Sequence, residues 1–219
     1  MWCKVKYASH KWSSVAYTFN VTAANSAGTS LPSAPSNSVT PSAGAVTLQL
    51  VQSRKFHGTV PPLVSHDLQI DATKAISQAV TVEPRDSRGG HTLIFSFNTT
   101  ITSIASASAI GPAGPIGTVY AVPSGNTIVA YLLNVPDNSR VTILLNGVNG
   151  TTNVTTSMGF LVGDINSTRS VNSADVSRIK ASLNQPTAAG NYLLDLNLSG
   201  TINAGDLAMV KARSGLVLP

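Results

Sequence analysis

Two stretches near the C-terminal end carry oxygen-bearing side chains at matched spacing. The first, DINSTRSVNSAD, begins at Asp164 and the second, DLNLSGTINAGD, at Asp195. A shift of 31 residues lays Asp164 on Asp195, Asn166 on Asn197, Asn172 on Asn203 and Asp175 on Asp206. The same shift aligns Lys180 with Lys211 and the apolar pairs Val171/Ile202, Val176/Leu207 and Ile179/Val210. Similarity at a fixed offset marks a duplicated supersecondary unit. Carboxylate, amide and hydroxyl oxygens without sulfur or imidazole are the donors of a hard divalent cation, calcium above all, which takes six to eight of them.

The spacing is that of an EF-hand-type loop, with ligands at positions 1, 3, 5, 7, 9 and 12 ahead of a helix. In the first copy Asp164, Asn166 and Thr168 offer side-chain oxygens and Ser170 a main-chain one. Asn172 acts through water and Asp175 closes the shell from the first helical turn. Asp195, Asn197, Ser199, Thr201, Asn203 and Asp206 repeat the set. Gly200 falls at position 6, where the loop bends sharply, and Arg169 takes that place in the first copy. Val171 and Ile202, at position 8, suit residues that pair the two loops through a short run of backbone. The competing reading is two helices capped by polar loops without metal. Capping requires one Asx per helix, whereas four spaced positions recur here twice.

These repeats resemble the type I dockerin, a small module of two calcium loop–helix units that docks on a cohesin domain. The resemblance covers residues 159–219. It implies Ca²⁺ as cofactor, a cohesin-like partner, and contact with that partner through loop positions 10 and 11, here Ser173 with Ala174 and Ala204 with Gly205. Family loops usually carry a further carboxylate at position 5, where this chain has Thr168 and Ser199. Two carboxylates per loop place the calcium affinity in the weak extracellular range, ~10⁻⁴–10⁻³ M.

The elements that must position these loops are read from the remaining chain. Of its 219 residues only 11% are charged and 42% are hydrophobic, a Thr/Ser/Val-rich mixture that favours strands. No apolar run approaches the ~20 residues of a membrane span. The net charge of +5 reflects scarce acids rather than a basic stripe, which argues against nucleic-acid binding. The single Cys3 excludes an internal disulfide framework. The opening residues have no continuous apolar core or A-x-A site, so no secretory signal is recognisable there and export would place one upstream.

Residues 1–44 read as an N-terminal segment. Tyr17, Phe19 and Val21 alternate with polar neighbours, a turn follows, and a Pro/Ser-rich return leads into a linker over residues 32–45. This resembles the last two strands of a fibronectin type III domain. Residues 45–158 read as eight short strands, near 46–54, 67–71, 78–84, 92–98, 101–107, 116–122, 126–133 and 139–146, separated by turn signals. Their spacing argues for an antiparallel β-sandwich. The block looks like the Ig/cohesin-like sandwich that precedes dockerin-like repeats in bacterial surface and secreted proteins. Leu93, Phe95 and Phe97 share one face, whereas Ile128, Tyr131 and Leu133 do not, which predicts a bulge or a strand buried on both sides. The apolar residues 158–162 and 215–219 are expected to meet and clasp the repeats.

Catalytic chemistry is sparse. His57, His66, His91 and Asp67 lack a nucleophile elbow; Asp67 and Asp71 read as turn and edge residues, and all three of Asp67, Asp71 and Glu83 as exposed polar residues rather than paired acids. Arg54, Lys55, Phe56 and His57 form one odd basic cluster at a strand end. The fold class expected is therefore mainly β, an antiparallel sandwich followed by a small α module of two loop–helix repeats. The function expected is a non-enzymatic extracellular interaction module, docking on a cohesin-like domain or on its own sandwich. Alternatives are a self-assembling fibre or surface-layer subunit using strand addition by the N-terminal strands, and a non-catalytic, polysaccharide-binding appendage of a polysaccharide-degrading enzyme.

Overall fold

The computed structural model describes residues 16–40 and 44–219, so Cys3, the opening basic residues and residues 41–43 of the linker lie outside it. Two compact units are present, Met1–Ala45 and Val46–Pro219. In the first, strands β1 (Ala24–Asn25) and β2 (Gly28–Thr29) close a hairpin whose outer rungs reach the Tyr17–Val39 bridge. Its return strand has a period of three. Pro32 and Pro35 lack an N–H, and Ser30, Ser33 and Ser36 supply both donor and acceptor to the facing strand. Ser33 N donates to Val21 O at 2.9 Å while Val21 N donates to Ser33 Oγ at 3.1 Å. Phe19, Val21, Leu31 and Val39 remain exposed.

The second unit begins as a sandwich of two five-stranded sheets. One has the order β4 (Val64–Ile70), β3 (Leu48–His57), β6 (Gly90–Phe97), β10 (Thr127–Leu133), β9 (Thr118–Ser124). The other has the order β5 (Val82–Glu83), β12 (Thr152–Phe160), β11 (Ser139–Val148), β7 (Ser106–Gly111), β8 (Gly114–Pro115). All pairs are antiparallel except β5 with β12, which places Glu83 beside Phe160. Leu93, Phe95, Ile128, Leu132, Ile143, Leu145 and Met158 fill the space between the sheets. Apolar side chains at alternate strand positions make that core contiguous.

Three expectations are corrected here. Strand β12 goes unseen in the sequence because Thr152, Asn153, Thr155 and Thr156 dilute its apolar signal, yet Val154, Met158 and Phe160 alternate into the core. The strand expected at 101–107 lies at Ser106–Gly111, since Ile101 is a buried loop residue rather than a strand residue. Strand β10 has no bulge. Ile128, Ala130 and Leu132 point inward, while Tyr131 and Leu133 are exposed on the outer face, where Tyr131 lies alongside Tyr120 with ring centroids 6.4 Å apart.

The repeats follow directly. Helix α1 spans Ser173–Ala181 and α2 spans Ala204–Ala212, with a 3-10 turn at Tyr192–Leu194 between them. Nine-residue helices are marginal alone. They gain order from a second core in which Ile165, Val171, Ile179, Leu196, Ile202, Val210 and Leu218 join Val80, Val82, Leu161 and Val162 of the sandwich side. The tail does clasp the module: Leu218 is buried in this core, and a Cβ on Gly159 would meet its Cδ2 at 2.5 Å.

Candidate metal centre and the surface that holds it

Each loop folds around its position-1 aspartate. Asp164 Oδ1 accepts from Thr168 N at 2.9 Å and Oδ2 from Arg169 N at 2.8 Å. Asp195 repeats this with Ser199 N at 2.9 Å and Gly200 N at 2.8 Å. The bend needs left-handed backbone at two points per loop, and Ser167 with Arg169 matches Leu198 with Gly200. Asn166 Oδ1 accepts from Thr168 Oγ1 at 2.7 Å, and Asn197 Oδ1 from Ser199 N at 2.9 Å. Asp175 and Asp206 close the loops: each accepts the N–H of its helix N-cap, at 2.9 Å from Asn172 and 2.7 Å from Asn203. Asn172 and Asn203 in turn cap Ala174 N and Gly205 N, so each helix starts with a full capping box. Capping accounts for positions 9 and 12. It leaves Asp164, Asn166, Asp195 and Asn197 to organise the loops.

The donor set suits a hard cation. All four aspartates are fully buried, and within each loop the two carboxylates interact. Burial raises the Asp164 carboxyl above its ordinary value, and the charge of Asp175 adds to that. Asp206 is raised by burial too, with Asp195 contributing. Two buried like charges on a loop of neutral oxygens are what a divalent oxygen-seeking ion relieves. Thr168 Oγ1 also donates to Ser170 O at 3.2 Å and Ser199 Oγ to Thr201 O at 2.9 Å, which draws position 5 toward position 7 in both copies. Among the described residues no group of three His, Cys, Asp or Glu gathers as a metal cluster, here or elsewhere, so each loop offers two carboxylates and otherwise neutral oxygens.

One sequence expectation fails at position 8. Val171 and Ile202 do not pair the loops with each other. Val171 N donates to Leu216 O at 2.9 Å and Val171 O accepts from Gly215 N, while Ile202 N donates to Gln185 O at 2.9 Å and Ile202 O accepts from Asn184 N. Each loop's backbone is taken by the segment that follows the other loop's helix, a reciprocal arrangement that the 31-residue shift maps onto itself. Ser173, Ala174, Ala204 and Gly205 are exposed.

Residues 162–213 match the family model of the dockerin type I domain. That match supports a calcium-binding protein-interaction module that is non-catalytic in itself, over roughly a quarter of the chain. No curated protein and no solved structure matches the chain. No helix is long and apolar enough to cross a membrane.

The dockerin-like module is held on the sandwich through its second loop. Asp86 N donates to Leu196 O at 2.9 Å, Gly58 N to Leu198 O at 3.0 Å, and the Arg88 guanidinium to Asn197 O. His57 Nδ1 lies 2.8 Å from Asp195 Oδ2, which also accepts from Thr187 Oγ1 at 2.8 Å. Behind His57 the Arg85 guanidinium is buried with every N–H engaged. It reaches Glu83 Oε1 at 2.7 Å, Glu83 Oε2 at 2.9 Å, Ser53 O at 3.2 Å, His66 O at 2.9 Å and His57 Nε2 at 3.3 Å. Burial alone would raise the Glu83 carboxyl, but Arg85 holds it below the ordinary carboxylate range. Tyr192 stacks on His66 at 5.1 Å and donates to Asp67 O at 3.1 Å.

Glu83 is therefore a buried ion-pair partner rather than the exposed polar residue the sequence suggests. Asp67 pairs with Arg54 at 2.6 Å and Asp71 hydrogen-bonds Thr73, so the three acids serve three separate partners. Lys55, from the odd basic cluster, is buried and donates to Gly90 O, and burial lowers it to about 8. The sequence singles that cluster out, but Arg85, Thr187 and Tyr192 carry no local signal. Arg85 and Tyr192 matter here through His57, His66 and Asp67, which are remote in the chain, and Thr187 through Asp195 of the following loop.

Proposed function

We propose that this chain is an extracellular, non-catalytic interaction protein in which a β-sandwich of residues 45–158 carries a calcium-dependent dockerin-like module, residues 159–219, and presents it to a cohesin-like domain. Asp164, Asn166, Thr168, Ser170, Asn172 and Asp175 hold one ion, and Asp195, Asn197, Ser199, Thr201, Asn203 and Asp206 the other. The observation that carries this reading is a division of surfaces. The second loop bonds to the sandwich and the tail packs on it, while Ser173, Ala174, Ala204 and Gly205 are exposed. Contact with its own sandwich thus leaves these four residues accessible to a partner.

The test is calcium titration of the full chain followed by amide NMR. The position-6 amides, Arg169 and Gly200, should shift saturably with dissociation constants of ~10⁻⁴–10⁻³ M. Silence at both amides overturns the calcium reading. Binding to an immobilised type I cohesin domain should require calcium and weaken on substituting Ala174→Arg or Ala204→Arg; affinity that ignores both removes the docking face.

A second reading draws support from Tyr120 and Tyr131, an exposed aromatic pair on the outer face of the first sheet. Such a pair suits a sugar ring, as a polysaccharide-degrading appendage would need. A glycan screen with the Tyr120→Ala and Tyr131→Ala variants decides it.

A further inference from the structure

We propose that His57 of the sandwich is a positioning residue for the second calcium loop, so that calcium at that loop and docking of the module on the sandwich reinforce each other, while the first loop binds independently. The inference rests on the calcium reading above and adds to it a linkage confined to one of two near-identical sites.

The argument starts from Arg85. A guanidinium has donors and no acceptor. Its Nη1 faces His57 Nε2 at 3.3 Å and is fixed by the bidentate pairing with Glu83. Nε2 must therefore accept. The hydrogen-bond network assigns the ring proton to Nδ1, which donates to Asp195 Oδ2 at 2.8 Å. His57 is 3% exposed, so no water competes freely for that bond. With Gly200 N and Thr187 Oγ1 also donating to Oδ2, this oxygen is saturated and Oδ1 is left turned into the loop beside Ser199 N. A carboxylate held in this way has a fixed rotamer and a committed ligand oxygen. Outer-shell hydrogen bonds of that kind orient a ligand before the ion arrives.

The backbone is held as well. Carbonyls of Leu196, Asn197 and Leu198, at loop positions 2 to 4, each accept from the sandwich. Position 6 is pressed close, since a Cβ on Gly200 would lie 3.1 Å from Gly58 Cα. The first loop has the same internal bonds, but among the described residues no side chain from outside the loop bonds Asp164. One site is thus built from the repeat alone, and the other from the repeat plus the sandwich. Linkage makes the coupling reciprocal: what docking adds to calcium affinity, calcium adds to docking.

The experiment uses the full chain and reads both loops at once. Calcium is titrated into the native protein and into His57→Ala and His57→Asn variants, following the Arg169 and Gly200 amides. Asparagine places an N–H near the position of Nδ1. His57→Ala should weaken binding at Gly200 by about 10–100-fold and leave Arg169 unchanged, and His57→Asn should recover part of the loss. In the native protein calcium should also slow hydrogen exchange at Gly58 and Asp86, whose N–H groups bond loop carbonyls. That measurement needs no variant and stands even if His57→Ala unfolds. Equal losses at both loops, no loss at Gly200, no rescue by asparagine, or exchange at Gly58 indifferent to calcium would each overturn the coupling while calcium still binds. Absence of calcium binding at both loops would remove the calcium reading and this inference together, and absence at the second loop alone would overturn this inference.

Discussion

The two loops share ligand types, spacing, left-handed bends and capping boxes, yet they lie in different company. The first is closed by its own residues and by the C-terminal tail, through Leu218 N to Arg169 O and Val171 N to Leu216 O. The second is closed by residues 184–187 of the module and then covered by the sandwich, which supplies His57, Gly58, Asp86 and Arg88. A duplication in sequence has become an asymmetry in structure, because only one copy can face the neighbouring domain. The lesson is visible at position 6. Arg169, half-buried, carries a side chain at a left-handed φ of 65°, whereas at Gly200, φ 88°, a Cβ would crowd the Gly58 backbone at 3.1 Å.

The sharpest way to break the comparison is through Arg85. Substituting Arg85→Met leaves Glu83 charged and buried without its partner and should cost about 3–5 kcal/mol in urea unfolding. The expected damage is polarised: hydrogen exchange should accelerate at Gly200 and Gly58 far more than at Arg169. Uniform acceleration at both loops would mean the network supports the sandwich alone.

A smaller effect separates the two position-6 residues by sign. Gly200→Ala strains the left-handed backbone and crowds Gly58, so it should destabilise by about 1–2 kcal/mol. Arg169→Gly relieves the same backbone and should stabilise by up to about 1 kcal/mol, the entropy of glycine taking back part of the gain. Thermal melts of both variants check this, and matching signs would overturn the strain argument at position 6.

The smallest effect is in the titration of the position-1 aspartates without calcium. Asp164 is raised above 3.8 by burial. For Asp195 burial acts the same way but is outweighed by the bonds from His57, Thr187 and Gly200, and the carboxyl falls below 3.8. The signs then oppose. Asp195 contributes stability above pH 3.8 that is lost as pH falls through its lowered folded value. Asp164 favours the folded state below pH 3.8, and that contribution is lost as pH rises through its raised value. Carboxyl carbon shifts followed by NMR should show Asp164 protonating first on acidification. In His57→Ala the Asp195 midpoint should move upward.

What the chain alone determined was local. The repeat, its oxygen-bearing residue types, the presence of a helix after each loop, the β-rich block and the apolar ends at 158–162 and 215–219 were legible because each rests on spacing within a short window. Strand β12 was lost where threonines masked its alternation, and position 8 was misjudged because its partners sit in the opposite repeat. Tertiary structure alone decided that His57, 138 residues before Asp195, would share a hydrogen bond with it. It also decided that Glu83 and Arg85 would be buried as a pair. A buried charge is tolerated only where its partners converge, and in this fold that convergence arises where two strand ends of the sandwich meet one of two otherwise equivalent loops.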